Sequence, residues 1–481
     1  MQPLHRQAKG SRSPTLAHLL VGGWALLLGL ALSACSSVAP APTPSGFAPC
    51  VPSPSTQARP LALPQGLGDF LAPHVPGELL ALSGGIAPQT LAARVGGIQL
   101  QDRLAEGFLR LRVPVGQEWA KAEALRTAGA RWVQPNYLYF PLYQPNDPLY
   151  PASLADPYRL RPFYQEIHLE SAWDSVGTPR CTPVVAVLDT AFNPAHPDLQ
   201  ANLLAGKNLT PDGLGPDDLS PAPPPQGSSY LQGEADHGEG VAGLVAAAAN
   251  NGRGIPGVGL NYARVLPIKV FYWVGTSYSV SSDVLANAIR YAADQKAAVI
   301  NLSLGSPTPL DPAVQQALDY ALSKGALPVA ASGNDGADGL DYPAAYPGVL
   351  AAGAARLDGG RADFSNYSSQ PKYLVLAAAG NKSPQQLLYS LAIGQNYPYY
   401  QSLGNYAAWA GTSFAAPQVS GVAALYVAKF AARYGQGPTP DQTRRCLTQT
   451  ASNGGAYDAQ TGYGLLQADR VLTDTTVCFP N

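Results

Sequence analysis

The second half of the chain alternates short apolar runs with longer segments of helical spacing. Val184 to Leu188 is apolar without interruption, which suits a parallel strand buried on both faces. His237 to Ala249 then reads as an alanine-rich helix, and Arg264 to Val270 as a strand. Ser282 is placed to cap a helix from Asp283 to about Lys296, followed by a strand from Ala298 to Leu302. Asp311-Pro312 opens a further helix that Gly325 ends. Strands follow over Ala326–Ala331 and Val349–Ala354. Last, Ala415, Ala416, Val419, Val422, Ala423 and Val427 fall on one side of a helix. Pro417 reads as lying in its first turn, and Gly435 is placed to end it. The pattern predicts an α/β fold: a doubly wound, mostly parallel sheet with helices on both faces. Ligands on such sheets sit beyond the carboxyl ends of the strands.

The stretch before it has a different rhythm. Glu78–Leu82 reads as a strand, and Phe108-Leu109-Arg110-Leu111-Arg112-Val113 alternates apolar and basic positions like a half-buried one. Gln117–Thr127 has helical spacing through Trp119, Ala122 and Leu125, and Ala130–Tyr137 closes the block as a strand. Residues 71–143 are therefore expected to form a small α+β, ferredoxin-like domain, with 144–481 as the main domain. Two stretches interrupt the main pattern. Residues 205–233 are proline-rich, and residues 381–405 carry Tyr397, Tyr399 and Tyr400. Both read as surface insertions.

Composition adds the compartment. Of 481 residues 46% are apolar and only 13% charged, too apolar for a disordered chain. The net charge of −2 leaves no nucleic-acid footprint. Arg6, Lys9 and Arg12 head an apolar run from Leu16 to Ala31, and Leu32-Ser33-Ala34-Cys35 follows. This resembles a bacterial lipoprotein signal over residues 1–34, with Cys35 as the lipidated new N-terminus. The rival reading is an uncleaved membrane helix. Residues 35–70 are rich in Pro, Ala, Ser and Thr and read as a tether. Either reading puts the bulk of the chain outside the cytoplasm, lipid-anchored to the outer face of a membrane or released after processing. Four cysteines remain, Cys50, Cys181, Cys446 and Cys478, and they allow three pairings. The expected set is Cys446–Cys478, both near the C-terminus, with Cys50–Cys181 by elimination.

Four residues carry the candidate chemistry. Asp189 ends the first buried strand in Val-Leu-Asp-Thr, and His237 opens a helix in Asp-His-Gly-Glu-Gly-Val-Ala-Gly. Asn334 follows a strand in Ala-Ser-Gly-Asn-Asp-Gly, and Ser413 lies at a helix start in Gly-Thr-Ser-Phe-Ala-Ala-Pro. A hydroxyl, an imidazole, a carboxylate and an amide are the groups that acyl transfer requires.

These blocks, in this order, resemble the subtilisin-like serine proteases over roughly residues 70–470. The resemblance implies a serine endopeptidase with a catalytic Asp189-His237-Ser413 triad and Asn334 as oxyanion donor. It implies a self-removed inhibitory propeptide over 71–143, with a cut near Tyr143, and polypeptide substrates. Ser303-Leu304-Gly305 and Ala331-Ser332-Gly333 resemble the two walls of the family's main specificity pocket. Small residues along them point to broad cleavage, with Asp335 near the rim also tolerating a basic side chain. Asp198 matches one calcium-ligand position of the family, and Asn251 lies in a loop able to supply another. The chemistry itself requires no cofactor, and a monomer is expected. The sequence departs from the family at Ala191, at Glu239-Gly240 and at Gln418. Glu239 is expected to raise the pKa of His237 or to alter the floor of the groove. The alternative function is an inactive relative that binds peptides or partners without cutting.

Overall fold

The structure is a computed structural model that describes residues 66–68, 70, 74–104, 107–137, 145–151, 160–177, 179–230, 233–307, 311–382, 385–393 and 404–480. The signal, Cys35, most of the tether, Cys50 and so its pairing with Cys181, the cut near Tyr143, and Tyr397, Tyr399 and Tyr400 lie outside the described residues.

The N-terminal described region contains β1 (Gly66–Leu67), β2 (His74–Leu82), α1 (Pro88–Arg94), β3 (Gln99–Arg103), β4 (Phe108–Arg112), α2 (Glu118–Thr127) and β5 (Trp132–Tyr137). Its sheet runs β1-β5-β2-β4-β3, and the four longer strands pair antiparallel. This is the strand order of the ferredoxin-like βαββαβ unit. The sheet begins at Gly66, five residues before the expected boundary, because β1 pairs parallel to β5. Leu109 and Leu111 are buried with Leu79, Leu91, Ala122, Leu125 and Val133, as the apolar–Arg alternation requires. Trp119 departs from expectation: it is 51% exposed and packs edge-on against Phe70. Glu118 is the buried residue of that turn, and its carboxylate accepts a 2.7 Å hydrogen bond from the Gly77 N–H.

The main region contains, in order, α3 (Arg161–Glu166), α4 (Leu169–Ser175), β6 (Val184–Asp189), β7 (Lys207–Asn208), α5 (His237–Ala246), β8 (Arg264–Lys269), β9 (Tyr272–Val274), β10 (Ser277–Ser279), α6 (Ser282–Asp294), β11 (Val299–Leu302), α7 (Pro312–Ser323), β12 (Leu327–Ala331), β13 (Leu350–Ala355), β14 (Leu374–Ala378), β15 (Leu388–Leu391), β16 (Tyr406–Trp409), α8 (Thr412–Tyr434), α9 (Pro440–Gln449) and α10 (Ala468–Thr473). Seven strands form one parallel sheet in the order β14-β13-β12-β11-β6-β8-β7. Along β6, Val185 and Val187 face the core shared with α5 and α8, whereas Ala186 and Leu188 face that of α6 and α7. Burial on both faces explains the uninterrupted apolar run. Cys446 in α9 is disulfide-bonded to Cys478.

Four local readings change. Helix α5 stops at Ala246, because Ala248 N–H leaves the helix to bond Asp198 O at 2.6 Å. Ser281, not Ser282, precedes α6, and its hydroxyl donates to Asp283. Pro417 is the sixth residue of α8 and not in its first turn. Parts of the two interruptions, among the described residues, are built into the fold. Residues 205–233 add β7 to the sheet edge, bury Leu219 and Ala222, and place Asp212 2.6 Å from the buried Lys269. Residues 381–405 contribute β15, which pairs antiparallel with β16, and Ser390 donates to the Gly240 carbonyl at 2.6 Å.

Candidate active site

Asp189 is the last residue of β6, so the strand delivers its carboxylate to the carboxyl edge of the sheet. His237 is the first residue of α5, and its Nδ1 lies 2.7 Å from Asp189 Oδ1. Asp189 Oδ1 also accepts the Thr190 N–H at 2.8 Å, and Thr190 Oγ1 accepts the Gly238 N–H at 2.9 Å. Strand end and helix start are thus tied together on either side of the pair. Gly238 has no room for a side chain, since a Cβ there would lie 2.8 Å from the Ala191 carbonyl.

Ser413 is the second residue of α8, where the backbone N–H groups have no partner within the helix. Gly411 precedes the helix at φ 141°, a conformation that favours glycine. Asn334 is oriented by Thr412: its Oδ1 accepts both the Thr412 N–H and the Thr412 hydroxyl, each at 3.0 Å. Two donors on the oxygen leave the amide Nδ2 to face outward. His237, Ser413, Asn334 and Ser303 line one cleft of about 360 Å³.

The Ser413 hydroxyl is turned to the Ser303 carbonyl at 3.3 Å, and Ser303 Oγ donates to the Ser413 carbonyl at 2.7 Å. Pro417 accounts for the second bond. A helical residue at position 417 would donate its N–H to the carbonyl at 413, and proline has none. Asn301 and Ser420 continue the chain: Ser420 donates to Asn301 Oδ1, and Asn301 Nδ2 donates to Ser303 Oγ, both at 2.9 Å. Gln418 donates to the carbonyls of Ala378 and Phe414 and ties α8 to β14.

The imidazole of His237 lies against Phe414 and Trp409, at 5.4 and 6.4 Å between ring centres. Burial alone would lower its pKa; the charge of Asp189 and the hydrogen bond to it outweigh that and raise it. Glu239 does not act on His237 as expected. Its side chain is fully buried away from the cleft, where Oε2 accepts the Asn193 N–H at 2.8 Å. Burial, and to a lesser extent the charge of Asp236, pushes its pKa up to about 8.

The two expected walls separate. Ser303 reaches the cleft, whereas Leu304 and Gly305 line an adjoining cavity of about 680 Å³ with Tyr342 and Tyr346. Ala331 and Ser332 are buried, and the Ser332 N–H bonds the Ala352 carbonyl at 3.0 Å. Gly333, at φ 110°, donates its N–H to the Thr412 hydroxyl oxygen at 3.3 Å.

Asp198 and Asn251 form a separate group, Asn251 Nδ2 donating to Asp198 Oδ1 at 2.6 Å. Asp147, not singled out in the sequence, belongs with them. It is fully buried, its Oδ1 has no hydrogen-bond partner, and its charge helps raise Asp198 to about 6, after burial as the larger cause. Neither carboxylate has a basic partner among the described residues. Two uncompensated buried carboxylates and an amide are a donor set that fits a hard cation. The aspartate in Asn146-Asp147-Pro148 carries no sequence signal that separates it from a turn residue. Trp409 and Phe414 were missed for a related reason: apolar spacing marks them as core and says nothing of the imidazole.

A family model described as the subtilase family matches residues 181–464. A thermophilic serine proteinase of Bacillus sp. (strain AK1) is 31% identical over 373 residues, covering 77% of this chain and 80% of the relative. Thermitase of Thermoactinomyces vulgaris is 32% identical over 321 residues, covering 66% of this chain and 96% of thermitase. Among solved structures, a protease from Pseudoalteromonas arctica PAMC 21717 is similar at 30% identity and a TM-score of 0.54, covering 69% of this chain and 99% of that one.

Proposed function

The chain belongs to the subtilase family and is a subtilisin-like serine endopeptidase, and on that premise we propose that Asp189, His237, Ser413 and Asn334 are its catalytic groups. The observation that carries the assignment is the 2.7 Å His237–Asp189 contact behind a cleft that Ser413 and Asn334 also line.

With Nδ1 engaged by Asp189, the proton of neutral His237 sits on Nδ1 and the free Nε2 is the base. Substrate entry turns the Ser413 hydroxyl from the Ser303 carbonyl toward Nε2. Ser413 Oγ attacks the scissile carbonyl as Nε2 takes its proton. Asp189 stabilises the resulting imidazolium. The oxyanion is held by Asn334 Nδ2 and the Ser413 N–H, aided by the start of α8. Proton return to the leaving amine frees the acyl-enzyme, which water then hydrolyses by the same route.

Residues 71–143 act as a self-cleaved inhibitory propeptide, and Cys35 anchors the chain to the outer face of a bacterial membrane. The antiparallel βαββαβ unit and the signal-like N-terminus support these roles. Asp147, Asp198 and Asn251 would hold a calcium ion, whose charge would offset the buried carboxylates and staple the start of the main domain to the loop after α5. The enzyme acts as a monomer. Treatment with a fluorophosphonate probe followed by peptide mapping tests the reading: the adduct is expected on Ser413. A folded mature enzyme that takes up no probe would leave only the inactive, peptide-binding alternative.

A further inference from the structure

We infer that Trp409 is a positioning residue: stacked on Phe414, it walls the His237 imidazole into the orientation in which Nε2 can reach Ser413. The inference rests on the assignment of His237 as base and Ser413 as nucleophile. Asp189 ties the imidazole at one atom, Nδ1, at 2.7 Å. One hydrogen bond fixes where that nitrogen sits and leaves the ring free to pivot about it, since the second torsion of histidine has broad wells. A surface is needed to stop the swing.

The ring pair is that surface. Trp409 and Phe414 stack with centres 4.9 Å apart and 26° between their planes. Both meet the imidazole steeply, at 90° for Trp409 and 65° for Phe414, the edge-on arrangement that aromatic rings favour. Phe414 comes from α8, directly after Ser413, and Trp409 ends β16. Helix α5 is shaped to admit them. A Cβ at Gly240 would lie 3.1 Å from Trp409 Cε2 and 3.2 Å from Phe414 Cε1. Gly240 is one of the departures from the family pattern, and the rings take the space it leaves. The interruption 381–405 supplies the brace. Its strand β15 pairs with β16, with Leu388 opposite Trp409, and Ser390 donates to the Gly240 carbonyl at 2.6 Å. One strand thus holds both the wall and the turn of α5 that the wall rests on.

The test is the second-order rate at which a small alkyl fluorophosphonate labels Ser413, measured against pH in the mature enzyme and in Trp409→Leu and Trp409→Phe. The probe has no peptide arms, so the rate reads base and nucleophile rather than substrate binding. Trp409→Leu should label about ten- to a hundredfold more slowly, the scale set by a misplaced catalytic group. Its acid limb should move to higher pH, because water reaching the imidazole weakens the lowering effect of burial. The charge acting on the ring comes from Asp189, and Glu234 lines the same cleft; both are unchanged in these variants. Trp409→Phe keeps a ring and should restore most of the rate. Thermal melts show which variants fold. Where Trp409→Leu does not, Gly240→Ala carries the test: it crowds the same rings from α5 while favouring the helix, so labelling should slow with no loss of melting temperature. Labelling of folded Trp409→Leu at the unmodified rate with an unmoved limb, or of Gly240→Ala at the unmodified rate, overturns the inference alone. No uptake by the folded unmodified enzyme overturns the hydrolytic reading beneath it.

Discussion

Ser303 holds Ser413, the proposed nucleophile, by its main chain: its hydroxyl donates at 2.7 Å to the carbonyl of Ser413, the carbonyl that Pro417 leaves without a helical partner. Ser303→Ala strands that carbonyl, at a cost of about 1–3 kcal/mol for an unpaired buried polar group. The expected result is a lower melting temperature and a kcat reduced roughly tenfold, about the rate equivalent of 1.4 kcal/mol. Pro417→Ala supplies the missing N–H, so Ser303→Ala/Pro417→Ala should regain stability relative to Ser303→Ala. Simple addition of the two losses in a double-mutant cycle would contradict this coupling.

The pairing of His237 with Asp189 sets a pH profile. The imidazole must be neutral to accept the Ser413 proton, and Asp189 raises its pKa above the ordinary histidine value against the opposing effect of burial. Activity should therefore rise through an acid limb centred above about 6.5. Asp189→Asn removes both raising causes and leaves burial. Its acid limb should move to lower pH while the rate falls by about 10⁴. An unmoved limb in kcat/KM against pH would show that Asp189 does not govern the base.

Glu239 and Asp236 make a prediction about stability. Burial raises Asp236 to about 7 and Glu239 to about 8. The native state keeps protons that the unfolded chain gives up near the ordinary carboxylate values. Stability should thus fall as pH rises from about 4.5 to about 8, with the two groups titrating as a pair. Glu239→Gln should melt close to the unmodified protein at pH 4.5 and several degrees higher at pH 9. A difference that does not grow with pH would mean that Glu239 is ionised in the native state.

Calcium should reveal itself in the melting temperature. If Asp147 and Asp198 share a cation, added calcium raises the midpoint and a chelator lowers it, and Asp147→Asn weakens both responses. Midpoints indifferent to calcium and chelator would remove the ion from the account.

The parallel sheet was legible because strands buried on both faces are continuously apolar, and Val184–Leu188 needed no other signal. Asp189, His237, Asn334 and Ser413 stand out in the sequence because each lies where a strand ends or a helix begins. β15, β16 and the loop carrying Asp212 were not legible. Their burial depends on partners far along the chain: Ser390 on Gly240, and Asp212 on Lys269. Trp119 misled because helical spacing identifies a face without saying whether anything covers it.

Ser413 is the proposed nucleophile, and His237 is proposed to activate it. The most direct measurement is single-turnover acylation of the mature enzyme by a chromogenic peptide ester, with Ser413→Ala and His237→Ala in parallel. The unmodified enzyme should give a burst and a trapped acyl group on Ser413, and the two variants should lose activity to a similar, non-additive degree. A burst of undiminished size in folded Ser413→Ala would contradict the account.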